Sequence, residues 1–176
     1  MYGTARYVPI DENHPLQSQS PYAASKIGAE KIVESYVASY GLPAVVLRPF
    51  NIFGPRQSAR AVIPAIIAQA LTGNQVRLGA LDPTRDFTYV ANTVDAYVRA
   101  AECDAAIGRV FNIGSGFEIS IGDLARTIIR LVGREVTVVS EDAARMRPAR
   151  SEVRRVCAAN TLAREVLGWT PQIAFE

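Results

Sequence analysis

The sequence predicts an α/β fold in which helices alternate with short parallel strands. Residues 21–40 carry apolar side chains at three- and four-residue spacings, which predicts a helix. Gly41 follows, and glycine readily takes the left-handed conformation that ends a helix. Ala44 to Leu47 is then a continuous apolar run, typical of a parallel strand covered on both faces. Helix, tight turn and buried strand in this order form half of a βαβ repeat.

The helix over 21–40 has an unusually broad apolar surface, which can pack on a sheet and on another helix at once. Its predicted solvent-facing positions are Glu30, Lys31 and Glu34. The uncovered apolar surface predicts a homodimer that forms through this helix.

The same alternation continues along the chain. Pro64 fits only the first turn of the next helix, because proline has no amide hydrogen to donate. Ser120 with Asp123 three residues on is typical of a helix start. Residues 1–20 are rich in turn formers and predict a surface loop, and residues 141–155 contain five arginines and predict a basic loop. The other predicted elements are helices over 61–71, 92–102, 120–131 and 160–167, and strands or extended segments at 75–79, 85–90, 110–114, 135–139 and 156–158.

The composition is that of a globular chain with nearly balanced charge. Nineteen basic and 17 acidic residues among 176 argue against a nucleic-acid partner, and no apolar run is long enough to cross a bilayer. Cys103 and Cys157 lie far apart and have no metal or redox spacing, so we expect free thiols in the reducing cytoplasm. His14 is the single histidine, which argues against a histidine triad or a metal site.

The candidate chemistry begins in the stretch Pro21-Tyr22-Ala23-Ala24-Ser25-Lys26. Ser20 can cap a helix there, and Pro21 suits its first turn. Tyr22 and Lys26 are four residues apart and therefore share a helix face. A neighbouring ammonium favours the phenolate, which makes Tyr22 a candidate general base for a hydroxyl. A solvated Tyr/Lys pair is the alternative explanation of this spacing.

The sequence contains further candidate ligand-binding residues. Ligands in open α/β sheets bind beyond the carboxyl ends of strands, where Asn51 lies, although Asn51 can also serve to stabilise a turn. Arg85 is a candidate phosphate clamp, with a plain surface charge as the alternative. Gly114-Ser115-Gly116 is a candidate phosphate-binding turn. Arg145, Arg147 and Arg150 form either a loop that closes over an anionic substrate or a solvated loop. The dinucleotide fingerprint G-x-G-x-x-G does not occur in the sequence.

Taken in order, these motifs resemble the extended short-chain dehydrogenase/reductase family. The matching pieces are Tyr2-Gly3, residues 21–26, 48–55, 85–90 and 111–116, and Leu167-Gly168-Trp169-Thr170-Pro171. The resemblance implies the C-terminal part of a Rossmann-type doubly wound parallel sheet plus a smaller α/β substrate-binding domain. It places the second half of the NAD-binding domain at 1–57 and 85–114, and the substrate-binding domain at 58–84 and 115–176. It also implies a chain truncated at both ends, in which the glycine-rich fingerprint and the third catalytic residue precede Met1.

Members of this family are NAD(P)-dependent enzymes that act on nucleotide-sugars. Segments such as 54–64, and Arg147-Pro148 followed by Ser151-Glu152-Val153, resemble the 4,6-dehydratases, and most closely those that act on UDP-N-acetylglucosamine. The implied function is oxidation at C4, loss of water across C5 and C6, and hydride return to C6. A 4-epimerase or a decarboxylase is the alternative within the family. A non-catalytic nucleotide-sugar-binding fragment is the alternative from another class.

The resemblance also implies roles for single residues. Tyr22 is the catalytic base, and Lys26 holds the nicotinamide ribose. The cofactor is NAD rather than NADP, and the substrate is a UDP- or dTDP-hexose. Many members have Arg-Pro-Gly-Asp where this chain has Arg147-Pro148-Ala149-Arg150, which leaves Glu152 as the candidate acidic partner. The remaining implied contacts are Pro49, Phe50 and Ile52 with the cofactor, and Asn51, Val62, Arg85 and Arg147 with the nucleotide-sugar.

Overall fold

The computed structural model describes residues 1–140 and 153–175. Helices and short strands alternate over these residues, as the sequence predicts. The helices are α1 (Pro21–Tyr40), α2 (Val62–Thr72), α3 (Val90–Glu102), α4 (Ile121–Val132) and α5 (Thr161–Leu167), with a 3-10 turn at Asp104–Ala106. The strands are β1 (Val46–Pro49), β2 (Asn51–Phe53), β3 (Gln75–Arg77), β4 (Thr84–Tyr89), β5 (Val110–Ile113), β6 (Glu118–Ser120) and β7 (Thr137–Val139).

Parallel pairing dominates the sheets. β1 pairs with β5, β2 with β4, and β3 with β7, each in parallel, whereas β6 runs antiparallel to β4. The predicted parallel strand after α1 is therefore confirmed as β1, but its apolar residues are only half-buried. β1 and β2 are separated only by Phe50, so the chain passes from one sheet to the next at this residue. The predicted strand at 156–158 is reduced to one bridge, between Ala158 and Ile10.

Two apolar clusters hold these layers together. The first lies between α2, α4 and the strands β3 and β4, around Ile66, Val76 and Leu124. The second joins α3, β5 and α5 around Phe111 and the fully buried Trp169, whose indole N–H donates to the Asn92 carbonyl at 2.9 Å. α5 therefore packs with β5 and α3, and the predicted assignment of 58–84 and 115–176 to a substrate domain stays a prediction. Among the described helices, none combines the length and apolar character that crossing a bilayer requires.

The first 20 residues are irregular but not merely a surface loop, so that prediction was wrong in part. Tyr2, Ile10 and His14 are buried. The Ile10 amide donates to the Cys157 carbonyl at 2.8 Å, and the His14 Nε2 atom accepts from the Arg6 amide at 2.9 Å. Turn formers correctly indicate the irregular backbone, but they do not reveal side chains that fix it to distant strands.

α1 begins and ends where the sequence predicts. The Ser20 hydroxyl accepts from the Ala23 amide at 3.1 Å, and Gly41 takes the left-handed conformation with φ of 63°. Lys31 and Glu34 are exposed as predicted, but the prediction for Glu30 was wrong, because Glu30 is buried and paired with Arg48. The ion pair, invisible in the local pattern, explains how a carboxylate can lie on the packed face.

Candidate active site

Tyr22 and Lys26 lie together on the first turns of α1. The Lys26 Nζ atom is 5.4 Å from the centroid of the Tyr22 ring, within the range of a cation–π contact. Tyr22 is 71% exposed, so its hydroxyl is open to a ligand. The predicted proximity of phenol and ammonium is thus present in the structure.

Tyr22 lines a cavity of about 370 Å³, which we call the base cavity. Pro49, Phe50 and Asn51 form part of its wall, and Arg85 reaches it from β4. The structure therefore brings the candidate base together with two of the three predicted cofactor contacts and two of the predicted substrate contacts. Lys26 does not line the base cavity; it contacts the Tyr22 ring instead.

A larger cavity of about 540 Å³ contains a third predicted substrate residue and one more predicted cofactor residue. Val62 and Ile52 line it, and Asn51 and Arg85 line both cavities. Arg60 and Gln57, which the sequence analysis did not select, line it too. The volume of each cavity suits a ligand of small-molecule size. Arg48, Arg60 and Arg85 line the two cavities, and Lys26 lies beside Tyr22; these cationic side chains suit an anionic ligand.

Strand pairing sets the positions of Asn51 and Arg85. Asn51 lies directly opposite Phe87 in the β2–β4 ladder, and its side-chain amide donates to the Asp86 carbonyl at 3.2 Å. A guanidinium N–H of Arg85 donates to the Thr84 carbonyl at 2.8 Å. β4 therefore carries the Arg85 guanidinium and fixes the Asn51 side chain beside it.

The turn Gly114-Ser115-Gly116 does not present a free phosphate-binding nest. The Asp86 carboxylate fills it, accepting from the Ser115 amide at 2.8 Å, the Ser115 hydroxyl at 2.6 Å and the Gly116 amide at 3.0 Å. A fourth donor is the Ala158 amide at 3.0 Å. The predicted nest is present, but the anion that it binds is the carboxylate of Asp86. The candidate role of this turn in binding a phosphate was therefore wrong.

A buried polar cluster that the sequence analysis missed joins α1 to β1. Arg48 makes a bidentate ion pair with Glu30, and Arg48 also donates to the Tyr2 hydroxyl at 2.7 Å. Tyr2 in turn donates to the Asn112 side-chain oxygen at 2.5 Å. Burial raises the pKa of the Tyr2 phenol, in spite of the opposing charge and hydrogen bond of Arg48. Burial by itself would lower the pKa of the Arg48 guanidinium. The hydrogen bonds and negative charges of Glu30 and Tyr2 outweigh burial, so the pKa of Arg48 is raised.

The segment 153–158 closes one side of the base cavity, where Val153 and Val156 line it. Arg155 fixes this segment through a bidentate bond to Glu118, whose carboxylate also accepts from the Thr84 hydroxyl. The hydrogen bond from Arg155 lowers the pKa of the Glu118 carboxyl, although burial acts in the opposite direction. Arg147, with Arg145, Arg150 and Glu152, lies outside the described residues.

No cluster of three potential metal-ligating side chains occurs within residues 1–140 and 153–175. The chemistry that these residues offer is proton transfer at the Tyr22 hydroxyl and electrostatic binding of an anion by arginine and lysine.

The parallel strands, covering helices and strand-end cavities define a Rossmann-type α/β protein. The family model described as GDP-mannose 4,6 dehydratase matches residues 1–176. The UDP-glucose 4-epimerase of Mycolicibacterium smegmatis is 37% identical over an alignment of 180 positions, which covers 99% of this chain and 55% of the relative. The chain belongs to this family of NAD-dependent epimerases and dehydratases, within the extended short-chain dehydrogenase/reductases.

Solved structures agree with this assignment. The dTDP-glucose 4,6-dehydratase of Bacillus anthracis, in complex with NAD, superposes with a TM-score of 0.87 at 27% identity, over 99% of this chain and 55% of that one. The UDP-glucuronic acid 4-epimerase of Bacillus cereus, in complex with UDP-glucuronic acid and NAD, gives 0.89 at 27% identity, over 98% and 54%. The chain thus spans about half the length of the proteins that it matches.

Proposed function

We propose that this chain contributes the catalytic base and part of the substrate site of an NAD-dependent nucleotide-sugar 4,6-dehydratase. The observation that carries the proposal is the position of Tyr22: its phenol lines the base cavity with Asn51 and Arg85, and the Lys26 ammonium lies beside its ring. A phenol with a neighbouring cation is suited to remove a proton from a sugar hydroxyl.

The residues of the base cavity fit a nicotinamide cofactor. Pro49 and Phe50 supply an apolar surface for a planar ring. Lys26, which lies beside the Tyr22 ring rather than in the cavity wall, supplies a donor for ribose hydroxyls. When bound there, NAD would supply the hydride acceptor for C4 of the sugar and the hydride donor for C6. Tyr22 takes the proton of the C4 hydroxyl, and the resulting C4 ketone makes the proton at C5 acidic enough for water to leave across C5 and C6. Bound NAD in the Bacillus anthracis dehydratase supports this choice of cofactor.

Asn51, Val62 and Arg85 are proposed to bind a UDP- or dTDP-hexose, and Arg147 stays a proposed contact of its nucleotide end. The guanidinium group of Arg85 is suited to the diphosphate, because its planar fork can donate two parallel hydrogen bonds to phosphate oxygens. The larger cavity, which Val62 lines, adjoins Asn51 and Arg85 and has the volume of a small-molecule site.

A 4-epimerase is the second candidate, and the 37% identity to the Mycolicibacterium smegmatis UDP-glucose 4-epimerase favours it. Both reactions begin with the same oxidation at C4, so Tyr22 and Lys26 serve either one. A decarboxylase shares this first step as well. A non-catalytic chain that binds a nucleotide-sugar is the alternative from another class.

We also propose a homodimer that forms through α1. Ile32, Tyr36 and Tyr40 leave an apolar stripe of this helix exposed, with exposed fractions of 61%, 51% and 78%. Contiguous apolar surface of this kind is typical of protein–protein interfaces.

The products of the reaction test the proposal. The complete natural gene product is incubated with NAD and, in turn, UDP-N-acetylglucosamine, dTDP-glucose, UDP-glucose and UDP-glucuronic acid, and the masses of the sugar nucleotides are measured by mass spectrometry. A dehydratase lowers the mass by one water, an epimerase leaves it unchanged but alters the retention time, and a decarboxylase acts only on a uronic acid. Binding of the nucleotide-sugars without any product supports the non-catalytic alternative and contradicts the proposal.

A further inference from the structure

Glu30 and Arg48 form a buried ion pair between the helix of the candidate base and a strand of the sheet. Their side chains are 6% and 8% exposed. The Arg48 Nε atom donates to Glu30 Oε2 at 2.9 Å, and Arg48 Nη2 donates to the other carboxylate oxygen. Arg48 Nη1 donates to the Tyr2 hydroxyl at 2.7 Å and to the Glu12 carbonyl at 3.2 Å. The Arg48 guanidinium therefore donates hydrogen bonds to three different residues.

The pair sits between the two parts of the candidate site. Tyr22, Lys26 and Glu30 follow one another at four-residue spacing, so they lie on successive turns of one side of α1. Arg48 immediately precedes Pro49 and Phe50, and all three residues line the base cavity. A displacement of Glu30 relative to Arg48 is therefore a displacement of the candidate base relative to the cavity wall.

Within the described residues, α1 buries few side chains. Ala23 and Glu30 are its two buried residues, and Ile27, Val33 and Val37 are half-buried. Apolar contacts are non-directional, so they permit a helix to slide or rotate by fractions of an ångström. A bidentate carboxylate–guanidinium pair fixes both distance and orientation.

We propose that Glu30 and Arg48 are positioning residues, which hold Tyr22 and Lys26 at a fixed place over the segment 49–51. This inference rests on the proposed function. A buried ion pair adds little stability compared with two apolar side chains of similar size. Misplacing reacting groups by about 1 Å can lower a rate by about a hundredfold. The pair therefore affects turnover more than folding.

The apolar double variant Glu30→Met/Arg48→Met separates these two effects. It removes both charges together and leaves no unpaired buried ion. In the complete natural gene product, we expect kcat to fall at least about tenfold while KM for the nucleotide-sugar stays within about twofold. The matched control removes the exposed pair of the same helix, Lys31→Gln/Glu34→Gln, and is expected to keep kcat within about twofold. If the double variant folds and its kcat equals that of the Lys31/Glu34 control, the proposal is wrong.

Arg48→Lys provides a second test if the double variant does not fold. Lysine keeps the positive charge but lacks the planar fork, so it cannot reproduce the bidentate geometry. We expect a several-fold loss of kcat at unchanged KM, and an unchanged kcat overturns the proposal.

Hydrogen exchange of α1 distinguishes failure of this inference from failure of the proposed function. If the wild-type protein turns over no nucleotide-sugar, the proposed function is wrong, but amide exchange over residues 21–33 still reports how firmly the helix is held. Exchange at least about tenfold faster in the double variant than in the Lys31/Glu34 control supports the positioning role, and equal exchange refutes it.

Discussion

The Nζ atom of Lys26 lies 5.4 Å from the centre of the Tyr22 ring, one helical turn away, while the Tyr22 hydroxyl is open to the base cavity. From this arrangement we predict that Tyr22→Phe lowers kcat of the complete natural gene product by about 10²- to 10⁴-fold, because the variant keeps the ring but loses the proton acceptor. Affinity for NAD is expected to change by less than about threefold. Steady-state assays and cofactor titration give the two quantities.

Tyr97→Phe is the matched control for this prediction, since Tyr97 lies on α3, is 52% exposed, and does not line either cavity of the candidate site. Both variants lose one phenolic hydroxyl. Equal activity of the Tyr22 and Tyr97 variants would show that Tyr22 is not the base.

A second prediction concerns the Asp86 carboxylate, which accepts four hydrogen bonds from residues 115, 116 and 158. Asp86→Asn replaces one carboxylate oxygen with an NH₂ group that faces N–H donors. We expect the free energy of unfolding to fall by about 2–4 kcal/mol, because hydrogen bonds to a buried charge are lost and donors are left unpaired. Urea denaturation of the chain measures this change.

The exposed pair of Asp95 with Arg99 on α3 provides the comparison, because Asp95→Asn removes a carboxylate whose side chain is 40% exposed. The expected loss there is under about 0.5 kcal/mol. Similar losses in the two variants would contradict the structural role assigned to Asp86.

Local signals account for what the sequence predicted well. The ends of α1 depend on Ser20, Pro21 and Gly41, whose effects act within one helical turn. Likewise, the prediction of a strand before Pro49 depends only on the apolar residues 44–47. The meeting of Tyr22 with Asn51 was predictable, because Asn51 follows the carboxyl end of β1 and ligands in open α/β sheets bind there. Arg85 lies near the start of β4, so that rule does not place it in the same cavity.

Contacts between distant residues account for what the sequence did not predict. The local sequence predicts that Glu30 faces solvent, because it does not show that Arg48, 18 residues further on, binds the Glu30 carboxylate. The local sequence likewise predicts a phosphate-binding turn at 114–116, because it does not show that Asp86, 29 residues away, binds there. In each case a buried charge is tolerated only because its partner comes from another element.

A third prediction follows from the lowered pKa of Glu118, which the hydrogen bond from Arg155 causes first and the Thr84 hydroxyl second. A carboxyl with a lower pKa in the folded state stabilises the fold above its unfolded pKa, which is about 4.3. That stabilisation is lost as the pH falls through the lower, folded pKa. The wild-type chain is thus expected to be more stable than Glu118→Gln at pH 7 and to lose this advantage below about pH 4.

Urea midpoints of the two chains between pH 3 and 7 provide the measurement. A stability difference that stays constant over this range would show that the ionised form of Glu118 does not hold Arg155. Arg155 fixes the segment that lines one side of the base cavity. The protection of amides 153–158 against hydrogen exchange, relative to the unfolded chain at the same pH, should therefore fall in the same acidic range.

The last prediction concerns Cys157, a buried free thiol next to Asp86 and Glu118. Burial first, and then these two carboxylates, raise the pKa of the Cys157 thiol to about 11. Because the thiolate is the reactive species, alkylation of Cys157 by iodoacetamide at pH 8 should be at least about a hundredfold slower in the folded chain than in urea. Peptide mapping by mass spectrometry assigns the label, and Cys157→Ser identifies the contribution of Cys103. Rapid labelling of Cys157 without urea would contradict the position of the 153–158 segment, because that segment buries this thiol against the Asp86 carboxylate.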